Sequence, residues 1–382
     1  MNKIYFISCF FVPMGRSESN RAFMVKYLEE DGWDLEVVAG ENYKSLILNF
    51  QEDQSLWEVI PKGLKIHRFN GRPGWMTYDL KRLLNIGNNI RWHWIHEAER
   101  NLQLAEKGVI FAIVPQLDDA VLAYRLACKF DCPLVLYYVD EEKDVAKEIV
   151  DRAEVLFGVT QHITKSLAAQ YGHKDIRLSE NGYLQEISPP EKDSQAFPLR
   201  LVYAGSMTFR TRPEIFAQAW HLLFNKEPGL AQNIEIDFYG PPNYYPSLFL
   251  KKWLNNNLRF KGFLPVSQLM QTLPGYDMAL TSVHTDISFS SKTYQYLNAG
   301  LPLLVSAKHP GLKEFVDEHQ IGLATSRDVK EVAQKLKQLI EGKEQILKWR
   351  RKVLGIKSRF SFRERVREIS RTLKERLNNS KG

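Results

Sequence analysis

Short unbroken apolar runs alternate along the chain with longer stretches whose apolar positions recur every three or four residues. A short run bounded by turn residues predicts a strand buried on both faces, and the wider spacing predicts a helix with one buried stripe. In the first half the pattern predicts strands at Lys3–Phe10, Leu35–Ala39, Val109–Val114, Pro133–Tyr138 and Val155–Gly158. Helices are predicted over Asn20–Glu30, Ala120–Lys129 and Gln161–Tyr171. Lys3 followed by apolar Ile4–Val12 mimics a signal peptide, but no small-residue cleavage site follows, and the stretch reads as a first strand.

The second half restarts the rhythm. Strands are predicted at Arg200–Tyr203, Ile234–Tyr239, Leu258–Lys261, Met278–Thr281 and Pro302–Ser306. The helices are Arg212–Phe224, Tyr245–Asn255, Val266–Leu273, Lys292–Asn298 and Val329–Ile340. Between the halves, Ile187–Pro198 carries three prolines among polar residues, a linker composition. The fold class is therefore α/β, with two doubly wound Rossmann-like domains. Their bounds are residues 1–186 and 199–358, joined by a linker at 187–198 and followed by a basic helix over 359–382. In such sheets ligands bind outside the carboxyl ends of the strands, so the site is expected between the two domains.

Composition narrows the function. Of 382 residues, 44% are hydrophobic and 25% charged, which excludes a disordered or collagen-like chain. The net charge of +7 is concentrated at one end: residues 341–382 hold 14 Lys and Arg against five acids, a net +9. The remainder is slightly acidic, so the chain is not a uniformly basic nucleic-acid binder. Cys9, Cys128 and Cys132 do not make a zinc-site spacing and read as reduced, buried thiols of a cytoplasmic protein. No apolar run approaches the ~20 residues of a membrane-spanning helix.

Candidate chemistry centres on Ser290-Ser291-Lys292-Thr293-Tyr294-Gln295-Tyr296, which follows a strand and opens a helix. Ser290 or Ser291 can cap that helix, and its free amides with Lys292 suit a diphosphate, although a capped structural helix would look the same. With Leu297-Asn298-Ala299-Gly300-Leu301-Pro302 the stretch resembles the S-x-K-x-x-E-Y-x-x-x-G-x-P element of GT-B glycosyltransferases, family 4 in particular. Tyr203-Ala204-Gly205-Ser206, Phe238-Tyr239-Gly240, Phe260-Lys261-Gly262-Phe263, Tyr276-Asp277-Met278, Asn181-Gly182 and Arg359-Phe360-Ser361-Phe362 are similar to further family elements in order and spacing. Two positions depart from the family: Gln295 replaces a carboxylate, and Ile287, beside Asp286, stands where an earlier one is usual.

The resemblance implies a retaining enzyme that moves a sugar from a nucleotide-sugar donor to a saccharide or lipid-linked acceptor, in cell-surface polysaccharide or glycoconjugate synthesis. The alternative is a non-catalytic module of the same fold that binds a sugar nucleotide or supports a partner glycosyltransferase. No cofactor or metal is expected, the nucleotide-sugar being a substrate. Lys292, with either Arg210 or Arg212, is expected to meet the charge on the departing diphosphate. Gly205, Ser206, Gly240, Ser290, Ser291 and Gln295 are expected around the donor, with Gln295 on the ribose. Gly15 and Arg16 would approach it from the first domain, or simply form a turn. Asp118, Asp119 and Asp140 follow first-domain strands and are candidates for the acceptor side, or caps of the next helices.

Two segments raise the question of a membrane. Basic residues interleave with Trp75, Trp92 and Trp94 between Lys62 and Arg100, which suits either a lipid surface or a buried aromatic face. From Ser361 to Leu377, Phe362, Val366, Ile369, Leu373 and Leu377 form one helical stripe opposite Arg363, Arg365, Arg367, Arg371, Lys374 and Arg376. The stripe is expected to dock on the first domain. The arginines would then face outward, giving a cytoplasmic protein a peripheral hold on the anionic inner membrane face.

Overall fold

The computed structural model describes residues 2–13, 18–40, 52–69, 92–114, 117–139, 145–172, 175–191, 196–241, 245–283, 291–308 and 310–379. Gly15, Arg16, Asp140, Ser290, Asp286 and Ile287 lie outside these residues, as does most of the segment from Lys62 to Arg100.

The chain divides into two units, one of residues 1–181 with 362–382 and one of residues 182–361. In the first, the elements run β1 (Asn2–Ile7), α1 (Glu18–Glu30), β2 (Trp33–Gly40), β3 (Lys65–Phe69), α2 (Trp92–Asn101), β4 (Val109–Val114), α3 (Leu117–Phe130), β5 (Leu134–Tyr138), α4 (Lys147–Arg152), β6 (Ala153–Gly158), α5 (Gln161–Tyr171) and β7 (Ile176–Leu178). They form a seven-stranded parallel sheet of order β3-β2-β1-β4-β5-β6-β7. The apolar run Val109–Val114 is buried throughout because helices cover both faces of its sheet. Trp94 is buried on α2, so at this residue the aromatic side faces the protein interior.

The second unit holds β8 (Leu199–Ala204), α6 (Glu214–Lys226), α7 (Pro228–Ala231), β9 (Ile234–Tyr239), β10 (Leu258–Gly262), α8 (Val266–Thr272), β11 (Met278–Val283), α9 (Ser291–Asn298), β12 (Leu303–Ala307), α10 (Pro310–His319), β13 (Gly322–Thr325), α11 (Val329–Glu341) and α12 (Glu344–Ile356). Its six-stranded parallel sheet has the order β10-β9-β8-β11-β12-β13, with apolar clusters on both faces. Asp328 caps α11 by accepting the N–H groups of Lys330 and Glu331, and the helix buries Val332, Leu336 and Leu339 on one stripe. The segment after Asn181 is strapped to this unit. Asn298 bonds the backbone of Gln185 and Ile187, and Arg350 donates to the carbonyls of Pro190 and Gly300.

Two expectations are corrected. Tyr245–Asn255 is not an α-helix: Pro246–Leu250 forms a π-helical turn and Lys251–Trp253 a 3-10 turn. Apolar spacing cannot distinguish these forms, because Pro246 only removes a donor at the start. Cys128 is exposed, whereas Cys9 and Cys132 are buried, and none of the three forms a disulfide.

The last helix, α13 (Phe362–Asn379), belongs to the first unit. Phe362, Val366, Ile369 and Leu373 are fully buried there, as their stripe predicts. Ser370 accepts the indole N–H of Trp33 at 2.8 Å and donates to Asp31. The cations beside the stripe do not form an unbalanced positive face. Arg363 pairs with Glu30 at 2.8 Å, Lys374 with Asp31 at 2.9 Å, Arg367 with Glu364 at 2.6 Å, and Arg376 with Asp175. Burial works to raise the carboxyl of Asp31, but the Ser370 hydroxyl and the Lys374 ammonium outweigh it and hold it below the ordinary value.

Candidate active site

The strand order of the second sheet reverses between β8 and β11, and the chain leaves the carboxyl ends of both strands there. Such a switch point opens a crevice that loops can line. β8 ends at Ala204, and Gly205 turns the chain with φ +149°, a conformation that side-chain-bearing residues rarely adopt. A Cβ on Gly205 would stand 3.2 Å from Cδ of Lys292. A Cβ on Gly240, just after β9, would stand 2.5 Å from the Gly205 carbonyl oxygen. Gly240 is thus demanded by the close approach of backbone to backbone, and Gly205 by its backbone conformation, with the lysine stem packed against it.

Lys292 reaches from the first turn of α9 over the end of β8. Its ammonium donates to the Tyr203 hydroxyl at 2.9 Å and lies 4.2 Å from that ring's centroid. Tyr203 donates in turn to the Ser206 carbonyl at 2.9 Å, and Thr211 Oγ1 donates to the same oxygen at 3.1 Å. Ser282, on β11, donates to the Thr211 carbonyl. Tyr296 locks α9 in place: its buried hydroxyl accepts from Ala204 N at 2.7 Å and donates to Ala204 O at 3.0 Å.

Gln295 lies one turn along α9 from Lys292. It is 8% exposed, and neither its Oε1 nor its Nε2 has a hydrogen-bond partner among the described residues. Burying an unpaired amide costs ~1–3 kcal/mol, so a side chain in this state calls for an external partner.

The two arginines differ. Arg210 is exposed and has no acidic partner among the described residues. Arg212 sits at φ +44° and donates from Nε to Glu214 Oε1 at 3.1 Å. Glu214 is buried, and its other oxygen accepts the hydroxyl of Tyr245. Burial and the Glu214 carboxylate push the Tyr245 phenol up, while hydrogen bonding to Glu214 strengthens the hold on the Arg212 charge. Burial and the nearby Arg212 cation lower Arg327, whose Nη1 is buried without a partner among the described residues. Glu214, Tyr245, Tyr203, Tyr296 and Arg327 were not singled out for the site from the sequence. Family-like motifs offered a signal for two of them, Tyr203 in Tyr203-Ala204-Gly205-Ser206 and Tyr296 in the α9 motif.

The candidates are therefore divided between the units. Gly205, Ser206, Gly240, Ser291, Lys292 and Gln295 share the β8 and β9 ends or α9, and Arg210 and Arg212 share the loop after Ser206. In the first unit, Asp118 and Asp119 are buried in the first turn of α3, where Asp119 Oδ1 accepts the backbone N–H of Cys9 at 2.5 Å. Arg21 and Arg68 donate to the carbonyls of Phe10 and Val12, bracing the chain beyond β1.

Two parallel Rossmann-like sheets, with the last helix returning to the first unit, define the GT-B glycosyltransferase fold. Residues 198–342, within the second unit, match the family model for glycosyl transferases group 1. HepE of Anabaena, solved with UDP and glucose, superposes with a TM-score of 0.67 at 15% identity, covering 98% of this chain and 100% of its own. Sucrose-phosphate synthase of Thermosynechococcus elongatus gives 0.70 at 13%, covering 99% and 100%. The pneumococcal O-GlcNAc transferase GtfA, solved with UDP and GlcNAc, gives 0.69 at 12%, covering 98% and 99%. No curated protein sequence matches the chain.

Proposed function

We propose that the protein transfers a hexosyl group, with retention, from a nucleoside diphosphate sugar to a saccharide or lipid-linked acceptor in polysaccharide or glycoconjugate synthesis. The observation that carries this reading is Gln295, buried with neither polar atom paired among the described residues, one turn from a lysine at the sheet's switch point. A ribose diol beside a diphosphate answers both needs. The amide oxygen accepts one hydroxyl proton, the amide N–H donates to the other oxygen, and Lys292 meets the phosphate as a point charge. The bound UDP of HepE and GtfA supports UDP as the nucleotide.

Arg212 is the arginine we assign to the diphosphate. A guanidinium anchored through Nε by a buried carboxylate is already oriented, so gripping phosphate costs less side-chain entropy than for exposed Arg210. As the bond to the sugar breaks, Lys292 and Arg212 offset the charge growing on the leaving diphosphate. That diphosphate helps to deprotonate the acceptor, and no resident metal is invoked. Gly205 and Gly240 are proposed to let backbone approach the donor, with Ser206 and Ser291 beside it; Gly15 and Arg16 are proposed as further donor contacts. Asp118, Asp119 and Asp140 are proposed for acceptor hydroxyls, Asp119 while also holding β1. Three cysteines outside any disulfide suit a reducing, cytoplasmic setting.

The test is UDP release from UDP-glucose and UDP-GlcNAc, with the product anomer read by NMR. Release abolished by Lys292→Ala supports the enzyme. The neutral Gln295 favours one other reading, a sugar-nucleotide-binding module, and UDP binding without turnover on any acceptor would select it.

A further inference from the structure

The basic C-terminal helix is largely charge-paired, but another surface joins unpaired cations to exposed apolar side chains. Phe209 is 68% exposed and Leu248 65%, the highest values for large hydrophobic residues among those described. Phe209 meets Tyr245 edge-on at 5.6 Å and Phe249 at 5.1 Å, so the loop after β8 lies against the π-helical turn Pro246–Leu250 that carries Leu248. Tyr245 is fixed from below by Glu214, which gives the projecting side chains a rigid base. Arg210, Lys251 and Lys252 flank them, all exposed and without an acidic partner among the described residues.

We propose that this face docks on an anionic bilayer, with Phe209 and Leu248 entering the acyl boundary and Arg210, Lys251 and Lys252 meeting the headgroups. Apolar side chains beside cations have the composition of an interfacial anchor. The size of the patch favours lipid over protein: two projecting side chains on a short turn fall far short of the roughly 800 Å² per partner of a stable protein interface. A bilayer needs only shallow insertion, and each basic residue near its anionic surface strengthens binding about fivefold. Phe209 shares its loop and the Glu214–Tyr245 anchor with Arg212, but vesicle binding is read without a donor, so the proposal fails or stands separately from the donor assignment.

Flotation of the full chain with vesicles tests it. Phosphatidylcholine vesicles containing phosphatidylglycerol should carry the protein upward at low salt, and pure phosphatidylcholine should carry far less. Leu248→Ser, at an exposed position that does not threaten folding, should cut the partition coefficient about tenfold. The double change Lys251→Glu with Lys252→Glu should remove the dependence on lipid charge. Arg363→Glu, on the paired helix, should leave vesicle binding near its original level. Failure of the unaltered protein to float at low salt would overturn the proposal, as would undiminished flotation of the Leu248→Ser protein. A concentration-dependent dimer in sedimentation that Leu248→Ser dissolves would give the face to a second copy and overturn it too.

Discussion

Replacing Gln295 with leucine separates the cost of the site from its benefit. The two side chains are similar in volume, so leucine fits the space without a large void. The buried amide loses its water on folding and finds no partner for Oε1 or Nε2 among the described residues. Removing it should therefore stabilise the ligand-free protein by ~1–3 kcal/mol. For a unit the size of the second one, that is a rise in melting temperature of roughly 2–4 °C per kcal/mol. Binding should move the other way. Loss of the ribose contact should weaken UDP by ~1–3 kcal/mol, about five- to 150-fold in Kd. Scanning calorimetry without ligand and titration calorimetry with UDP measure the two effects on one sample. A variant less stable than the parent would mean that the amide is paired in solution. Undiminished UDP affinity would mean that Gln295 does not face the nucleotide.

Lys292→Ala should weaken UDP by ~1.5–3 kcal/mol in titration calorimetry, the worth of a hydrogen bond to a charged group, with circular dichroism unchanged. Gln295→Glu should keep or strengthen UDP binding, because a carboxylate accepts both ribose hydroxyls; tighter binding by the leucine variant would contradict both expectations. Glu214→Gln should raise the donor KM more than Arg210→Ala does, since it frees the guanidinium of Arg212 without removing it; equal effects in initial-rate kinetics would leave the choice of arginine unsupported. Ile369→Ala, within the buried stripe of α13, should lower stability by ~2–5 kcal/mol in denaturant unfolding. Burial works to raise Glu36, but bonds from His67, Lys3 and Lys65 prevail and hold it at about 2, against an ordinary 4.5. A carboxyl depressed in the folded state contributes stability that is complete above its unfolded value and lost as pH falls through the folded one. Glu36→Gln should accordingly flatten the loss of stability between pH 4.5 and about 2 in acid titrations followed by fluorescence.

Much of the fold was legible because it is written locally. Val109–Val114 is a short apolar run and Ile234–Tyr239 alternates apolar residues with Glu235 and Asp237; both patterns predict strands, and the observed bounds match them. The spacing of Phe362, Val366, Ile369 and Leu373 likewise determined which face of α13 would be covered. Lys292 and Gln295 could be picked out because their spacing on one helix is a property of the sequence itself. Periodicity is silent where the same residues suit two backbones, as in the π and 3-10 turns at Pro246–Trp253. It is silent also about partners that meet only on folding. Arg210 and Arg212 are indistinguishable in sequence, and Tyr245, 31 residues beyond Glu214, completes the anchor that separates them. The positive face read from α13 is offset because Lys374 meets Asp31, 343 residues earlier in the chain. Hydrophobic pattern is a property of neighbours along the chain, whereas charge compensation and the orientation of a guanidinium are properties of neighbours in space. The tertiary structure alone could therefore decide which cations are held, which are paired and which remain exposed.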